Sequence, residues 1–183
     1  MLDVHRVSKR THKGVGGGNM SEEVKVSLSK FKVRGVEKSK LVIEWKEKTI
    51  NVWDVESEEV LSPFVENAVV YKHKIAVDCR GRTAYFNYHA SIHEYELGKD
   101  RYDTIEDLLQ TFGVILSDAT LYLNAKDIDD LASELGITKP SEAIRVWNGC
   151  RNTYRKLKRV LGISNDEFFE LYNALTDYIN KNV

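Results

Sequence analysis

The chain has 183 residues, of which 30% are charged and 42% are hydrophobic, a balance typical of a globular protein rather than a disordered one. Its formal net charge of −1 excludes the overall basic excess that marks many nucleic-acid-binding proteins. Cys79 and Cys150 are widely separated, which excludes a disulfide framework and a Cys-x-x-Cys metal site.

The sequence also indicates the cellular compartment of the protein and the kind of organism it comes from. No apolar run approaches the roughly 20 residues of a membrane helix, and the N-terminus lacks the apolar segment of a secretory signal. Together with the isolated cysteines, this leads us to expect a cytoplasmic protein without a membrane partner. A single glutamine beside many Lys and Glu favours a thermophilic source, whereas the scarcity of proline argues against one.

Residues 1–20 show no helical or strand periodicity and end in a glycine run at 16–18, so we expect a disordered tail. The tail carries several cations, Arg6, Lys9, Arg10 and Lys13, and one acid. Three interpretations are open: translation that starts at Met20, a basic arm that contacts phosphates, and a flexible tail.

Residues 21–98 alternate apolar and polar side chains with the period of a β-strand. One predicted hairpin turns at Glu47-Lys48, and a second turns at residues 79–82. Together with a strand over 24–33, these hairpins predict an antiparallel sheet of about five strands.

From residue 102 to the C-terminus the period becomes that of a helix, with capping boxes beginning at Thr104 and Ser164. Residues 118–123 are ambiguous between helix and strand. The sequence thus predicts an α+β fold, in which a β-rich domain over 21–98 precedes a helical domain over 102–183. We expect four to five helices in this bundle, including a helix-turn-helix-like segment.

That segment comprises a short helix over 128–135, a turn at 135–138 and a long helix over 141–161. It resembles a helix-turn-helix, whose second helix enters the major groove of DNA. Ala132 and Gly136 match the small residue and the turn glycine of the motif. Glu142 departs from it, because an apolar residue is usual there.

The long helix separates into an apolar stripe and a basic face without acids. The predicted stripe consists of Ala143, Trp147, Cys150, Tyr154, Leu157 and Leu161. The opposite side carries Arg and Asn, which match base edges, and Lys, which pairs with phosphates. We therefore expect a non-enzymatic, cofactor-free, DNA-binding regulatory protein. Its expected contact residues are Arg145, Asn148, Arg151, Asn152, Arg155, Lys156, Lys158 and Arg159. In this hypothesis the sheet supplies ligand sensing or homodimerisation.

Two alternatives compete with this function. Residues 94–134 hold eleven acids and three bases, so the basic helix is also explained by pairing with acids of its own chain. In the second alternative the protein is a protein-protein interaction or structural module without a nucleic-acid role, in which Trp45, Trp53 or Tyr88 contribute an exposed patch.

Two other sites have weaker support in the sequence. His73, His89 and His93 are metal-ligand types, but their spacing on a strand does not bring them together. Residues 80–88 place aromatics beside arginines, as sheet-based RNA-binding proteins do, although no aromatic follows the glycine directly as their motif requires.

Overall fold

The computed structural model describes residues 23–60, 69–87 and 104–182, except the side chains of 56–60, 69–73 and 87. Five strands form one antiparallel sheet in the order β1-β2-β3-β4-β5. Their bounds are Lys25–Val33 (β1), Val36–Trp45 (β2), Lys48–Val60 (β3), Val69–Cys79 (β4) and Arg82–Asn87 (β5). This confirms the predicted sheet, while the predicted tail over 1–20 lies outside the described residues.

Three tight turns set the register of the hairpins. The turns at Arg34-Gly35 and Arg80-Gly81 have positive φ at both residues, as a two-residue hairpin turn of type I′ requires. The β2–β3 turn also has positive φ at both positions, but its residues are Lys46 and Glu47, without glycine. The predicted turn at Glu47-Lys48 is therefore wrong by one residue, because Lys48 pairs with Trp45.

One face of the sheet is apolar and lies against the helices. Its buried side chains alternate along the strands, as the period of two predicts: Leu41, Ile43, Trp45, Ile50, Val52, Ile75, Val77, Cys79, Ala84 and Phe86. Because Trp45 is only 2% exposed, it cannot belong to the exposed patch expected for an interaction module. Tyr88, another expected member of that patch, lies outside the described residues.

Among the described residues, four helices follow the sheet, with bounds Ile105–Asn124 (α1), Ile128–Leu135 (α2), Pro140–Leu161 (α3) and Asn165–Asn182 (α4). The ambiguous residues 118–123 belong to α1 and are helical. Thr104 caps α1 by accepting a hydrogen bond from the Asp107 backbone N–H. At α4, Ser164 and Glu167 form the predicted reciprocal capping box.

Helix α1 is the centre of the molecule. Most of its side chains from Leu108 to Leu121 are buried, because it packs against β2 and β3 on one side and α3 and α4 on the other. The buried residues of the sheet and the helices form one contiguous apolar cluster. Helix α3 also packs directly on β4 and β5, which places its basic residues next to an edge of the sheet.

Candidate nucleic-acid interface

Helix α3 is preceded by the turn that the sequence predicted. Gly136 ends α2 in the left-handed conformation at φ 71°, where glycine is favoured because it lacks a Cβ. Pro140 occupies the first turn of α3, where its missing N–H costs no hydrogen bond. The N-cap of α3 is Lys139, which makes no side-chain capping bond.

The buried stripe of α3 differs in part from the predicted one. Cys150, Leu157 and Leu161 are buried as predicted, but Ala143, Trp147 and Tyr154 are only half-buried. The other buried positions are Val146, Thr153 and Val160. The half-buried aromatics instead contact Tyr122 of α1, with ring centroids 5.0 Å from Trp147 and 5.3 Å from Tyr154.

The structure brings the eight predicted contact residues onto the side of α3 away from the core. Seven of them are exposed, Arg145, Asn148, Asn152, Arg155, Lys156, Lys158 and Arg159, and Arg151 is half-buried. Within the described residues, no carboxylate forms an ion pair with the cations at positions 151, 155, 156, 158 and 159. Pairing with acids of the chain therefore does not explain these five cations in that part of the structure.

Two of these cations bind the backbone of β5, which is an edge strand of the sheet. Lys156 Nζ donates to the Tyr85 carbonyl oxygen at 2.8 Å, and Arg159 Nη2 donates to the Thr83 carbonyl oxygen at 3.1 Å. In return, Arg82 Nη1 donates to the Arg159 carbonyl oxygen at 3.2 Å. These three bonds fix the C-terminal half of α3 against the sheet.

Lys158 is held at the junction of α3 and α4. Its Nζ donates to the Tyr154 hydroxyl at 3.2 Å and to Asn165 Oδ1 at 3.0 Å. The Tyr154 hydroxyl itself donates to Asn165 Oδ1 at 2.7 Å. Lys158 thus belongs to a polar network that ties the end of α3 to the start of α4.

Like charges surround Lys156. Burial lowers the pKa of the Lys156 ammonium from its ordinary value, and the positive charges of Lys74 and Arg159 lower it further. Lys74 is on the neighbouring strand β4, so the positive surface extends from the helix onto the sheet. An anion bound beside Lys156 would therefore interact with the positive charges of Lys156, Lys74 and Arg159 together.

The remaining polar residues define what we call the open face of α3: Arg145, Asn148, Arg151, Asn152 and Arg155. Asn148, Arg151, Asn152 and Arg155 have no hydrogen bond or ion pair with any other described residue. At about 100° per residue, Asn148, Asn152 and Arg155 lie within an arc of roughly 60°. Ile144 lies about 20° outside this arc, next to Arg155, and is 52% exposed.

His89 and His93 lie outside the described residues, as does the side chain of His73. Among the described residues, no group of three or more His, Cys, Asp or Glu could hold a metal ion. None of the described helices is long and apolar enough to cross a membrane.

The fold defines an α+β protein in which a five-stranded antiparallel sheet precedes a layer of helices. Comparisons with protein-family models, with curated proteins and with solved structures each find no match to this chain.

Proposed function

We propose that this protein binds double-stranded DNA through the open face of α3. The observation that supports the proposal best is the alignment of Asn148, Asn152 and Arg155, whose side chains are exposed and have no hydrogen bond or ion pair with another described residue. Exposed Asn side chains offer the paired donor and acceptor that match adenine in the major groove, and an exposed Arg beside them can pair with a phosphate.

The length of the open face agrees with binding in the major groove of DNA. From Asn148 to Arg155 the helix advances about 10 Å, which is close to the rise of three base pairs. An α-helix fits the major groove, and exposed apolar side chains there contact the thymine methyl group. Ile144, beside Arg145 at the start of the helix, is placed for such a contact.

The other predicted contact residues have a different role in this proposal. Lys156 and Arg159 hold α3 against β5, and Lys158 holds it against α4. These three residues therefore position the helix, and the expected phosphate contacts of the open face come from Arg145, Arg151 and Arg155.

A salt titration tests the proposal. A labelled duplex of mixed sequence is titrated with the protein by fluorescence anisotropy at several salt concentrations. Because binding releases counterions, the logarithm of the affinity should fall with the logarithm of salt by about 0.9 per phosphate contact. Arg155→Ala should weaken binding and reduce that slope by about one contact.

The matched control is Lys181→Ala, which removes one positive charge from the exposed end of α4. This variant should bind duplex DNA as the parent does, because Lys181 is not on α3. Absence of binding at low salt would refute the proposal, as would equal losses in Arg155→Ala and Lys181→Ala.

The exposed Ile144 also favours a second candidate function, the recognition of a protein partner by the same face. Such a complex would depend on apolar burial at Ile144 and would show no counterion-release slope with DNA.

Sedimentation of the free protein would test the expected homodimer. Helix-turn-helix proteins that form dimers bind two DNA half-sites.

A further inference from the structure

The sheet face that points away from the helices carries aromatic rings and lysines, of which Tyr85 and Lys74 are exposed. Its described aromatic side chains are Phe31, Trp53 and Tyr85, and the lysines beside them are Lys38, Lys40 and Lys74. We call these six residues the aromatic-lysine face. Tyr85 is 50% exposed, while Phe31 and Trp53 are half-buried.

The strand register places these residues together. Lys40, Trp53, Ala76 and Tyr85 are direct partners in one row across β2, β3, β4 and β5. Neighbouring strands lie about 4.8 Å apart, so the backbones at Trp53 and Tyr85 are roughly 10 Å apart. The small side chain of Ala76 lies between the two aromatic residues.

Phe31 extends the aromatic surface onto β1. Its ring meets the Trp53 ring edge to face, with centroids 5.8 Å apart and an interplanar angle of 73°. Lys40 Nζ lies 5.7 Å from the centroid of the Phe31 ring, so a cation stands directly beside the aromatic pair. The face therefore has aromatic rings near its centre, with an ammonium group beside them.

Lysines outnumber carboxylates around the aromatic rings of this face. Among the described side chains of this face, the carboxylates are Glu44 and Asp78, and both lie in rows beyond the one that contains Trp53. Asp78 already accepts a hydrogen bond from Thr83 Oγ1 at 2.7 Å. Lys40 and Lys38 are the direct strand partners of Trp53 and Phe31, whereas Lys74 and Asp78 both lie one row from Trp53 and Tyr85.

We propose that the aromatic-lysine face binds single-stranded nucleic acid. Unpaired bases stack on the exposed aromatic rings, and the lysines pair with the phosphates, which is how proteins bind single strands without strong sequence preference. A second copy of this chain is a poor occupant, because its own lysines would repel those already present. The negative charge of a nucleic-acid strand complements them.

This proposal is independent of duplex binding by α3, because the aromatic-lysine face and the open face share no residue. Lys74 nevertheless lies close enough to Lys156 for their charges to interact. A strand leaving the sheet face beside Lys74 would therefore continue along a positive surface towards α3.

The test uses labelled oligothymidine and oligouridine of about 15 nucleotides, a length above the usual site size for one binding face. Both are titrated with the full chain at low salt by fluorescence anisotropy. The two oligonucleotides separate a preference for DNA from a preference for RNA. Tyr85→Leu and Trp53→Leu keep apolar bulk but remove the aromatic ring, and each should weaken binding by roughly 5- to 140-fold.

Tyr85→Phe is the matched control, because it keeps the ring and should keep the affinity. Thermal unfolding of each variant shows whether the sheet is intact, and the exposed Tyr85 keeps the test valid if Trp53→Leu fails to fold. Duplex binding by Tyr85→Leu should equal that of the parent, which separates the two proposals. No binding of either oligonucleotide, or unchanged binding by Tyr85→Leu, would overturn the proposal, as would an equal loss in Tyr85→Phe.

Discussion

Lys156 of α3 donates a hydrogen bond of 2.8 Å from its Nζ to the carbonyl oxygen of Tyr85 on the edge strand β5. One turn later in the helix, Arg159 donates to the carbonyl oxygen of Thr83, two positions earlier in the strand. The helix therefore runs antiparallel to β5 along this edge. Because unpaired edge strands offer a template for pairing with other chains, these contacts protect the sheet from such pairing.

The first prediction concerns this protected edge. We expect a Lys156→Met/Arg159→Met double variant to lower the free energy of unfolding by about 1–3 kcal/mol, because two hydrogen bonds of roughly 0.5–1.5 kcal/mol each are lost. Amide exchange in β5 should also become faster. Urea unfolding and hydrogen exchange measure the two effects. The control is Arg155→Met, because Arg155 is on the same helix and its side chain has no described hydrogen bond or ion pair. Equal free energies of unfolding for Arg155→Met and for the double variant would contradict the prediction.

Several features of this fold could be predicted because their causes are local in the sequence. Alternation at Leu41, Ile43 and Trp45 identified a strand with one buried face, and the structure confirms it. Ser164 and Glu167 identified the start of α4, because the capping box depends on residues three apart. The turn after Trp45 was placed one residue late, because neither Lys46 nor Glu47 is a usual turn residue.

The environment of the basic helix could not be predicted in the same way. Lys156 and Tyr85 are 71 positions apart, and the acceptor is a backbone carbonyl, which carries no sequence signature. The predicted stripe is partly wrong because size and hydrophobicity place Trp147 and Tyr154 in the centre of the core, whereas both are half-buried and pack against its margin. Their packing against Tyr122 depends on where α1 lies, and that is a tertiary property.

The second prediction concerns the cap of α4. Ser164→Ala should lower the free energy of unfolding by about 1 kcal/mol, because the Glu167 backbone N–H loses the Ser164 hydroxyl as its acceptor. Urea unfolding of the variant and the parent at neutral pH measures this difference. An unchanged unfolding midpoint would show that the cap contributes nothing to stability.

The third prediction concerns pH. The hydrogen bond from the Ser164 backbone N–H is the main cause that lowers the pKa of the Glu167 carboxyl, and the Ser164 hydroxyl and Lys46 contribute further. A lowered carboxyl pKa stabilises the fold above the ordinary glutamate value, and that stability is lost as the pH falls through the folded value. Glu167→Gln should therefore destabilise the protein at about pH 7 and much less at about pH 3.

Unfolding by urea at both pH values measures this effect. Glu142→Gln makes the same chemical change in the first turn of α3, where no reciprocal cap exists, and should show the smaller difference between the two pH values. A Glu167→Gln penalty that is equal at both pH values would mean that the ionised carboxylate is not the stabilising form.

The fourth prediction concerns the β2–β3 turn. Glu47 has a φ of 63° at the position where the other two hairpin turns have glycine, and a non-glycine residue there costs about 1 kcal/mol. Glu47→Gly should therefore raise the melting temperature by roughly 2–4 °C. The reverse change, Gly35→Glu, should lower it by a similar amount, since Gly35 has a φ of 79°.

Lys46, the other residue of this turn, anchors it to α4. Its ammonium group forms ion pairs with Glu167 and Glu170 and lies 4.8 Å from the Trp45 ring centroid. Glu47→Gly leaves these contacts in place, so differential scanning calorimetry of Glu47→Gly reports the backbone effect alone. A lower melting temperature in Glu47→Gly would show that flexibility gained in the unfolded chain outweighs the relieved strain.

The fifth prediction tests whether the duplex would bind in the helix-turn-helix manner. In that arrangement the first helix crosses the DNA backbone, so acids on α2 would lie near phosphates. Asp129 is exposed in the first turn of α2 and has no described partner. Asp129→Asn should tighten duplex binding about twofold at low salt, since a charge pair 8 Å apart in water is worth roughly 0.5 kcal/mol.

Asp166→Asn supplies the control for that measurement, because it makes the same change in the first turn of α4, outside the two-helix segment. If Asp129→Asn alone tightens binding, α2 approaches the phosphates together with the open face of α3. If neither variant differs from the parent while Arg155→Ala still weakens binding, α3 contacts DNA with α2 held away from it. The resemblance of α2 and α3 to a helix-turn-helix would then be one of shape alone, since helix pairs joined by a glycine turn occur in many folds.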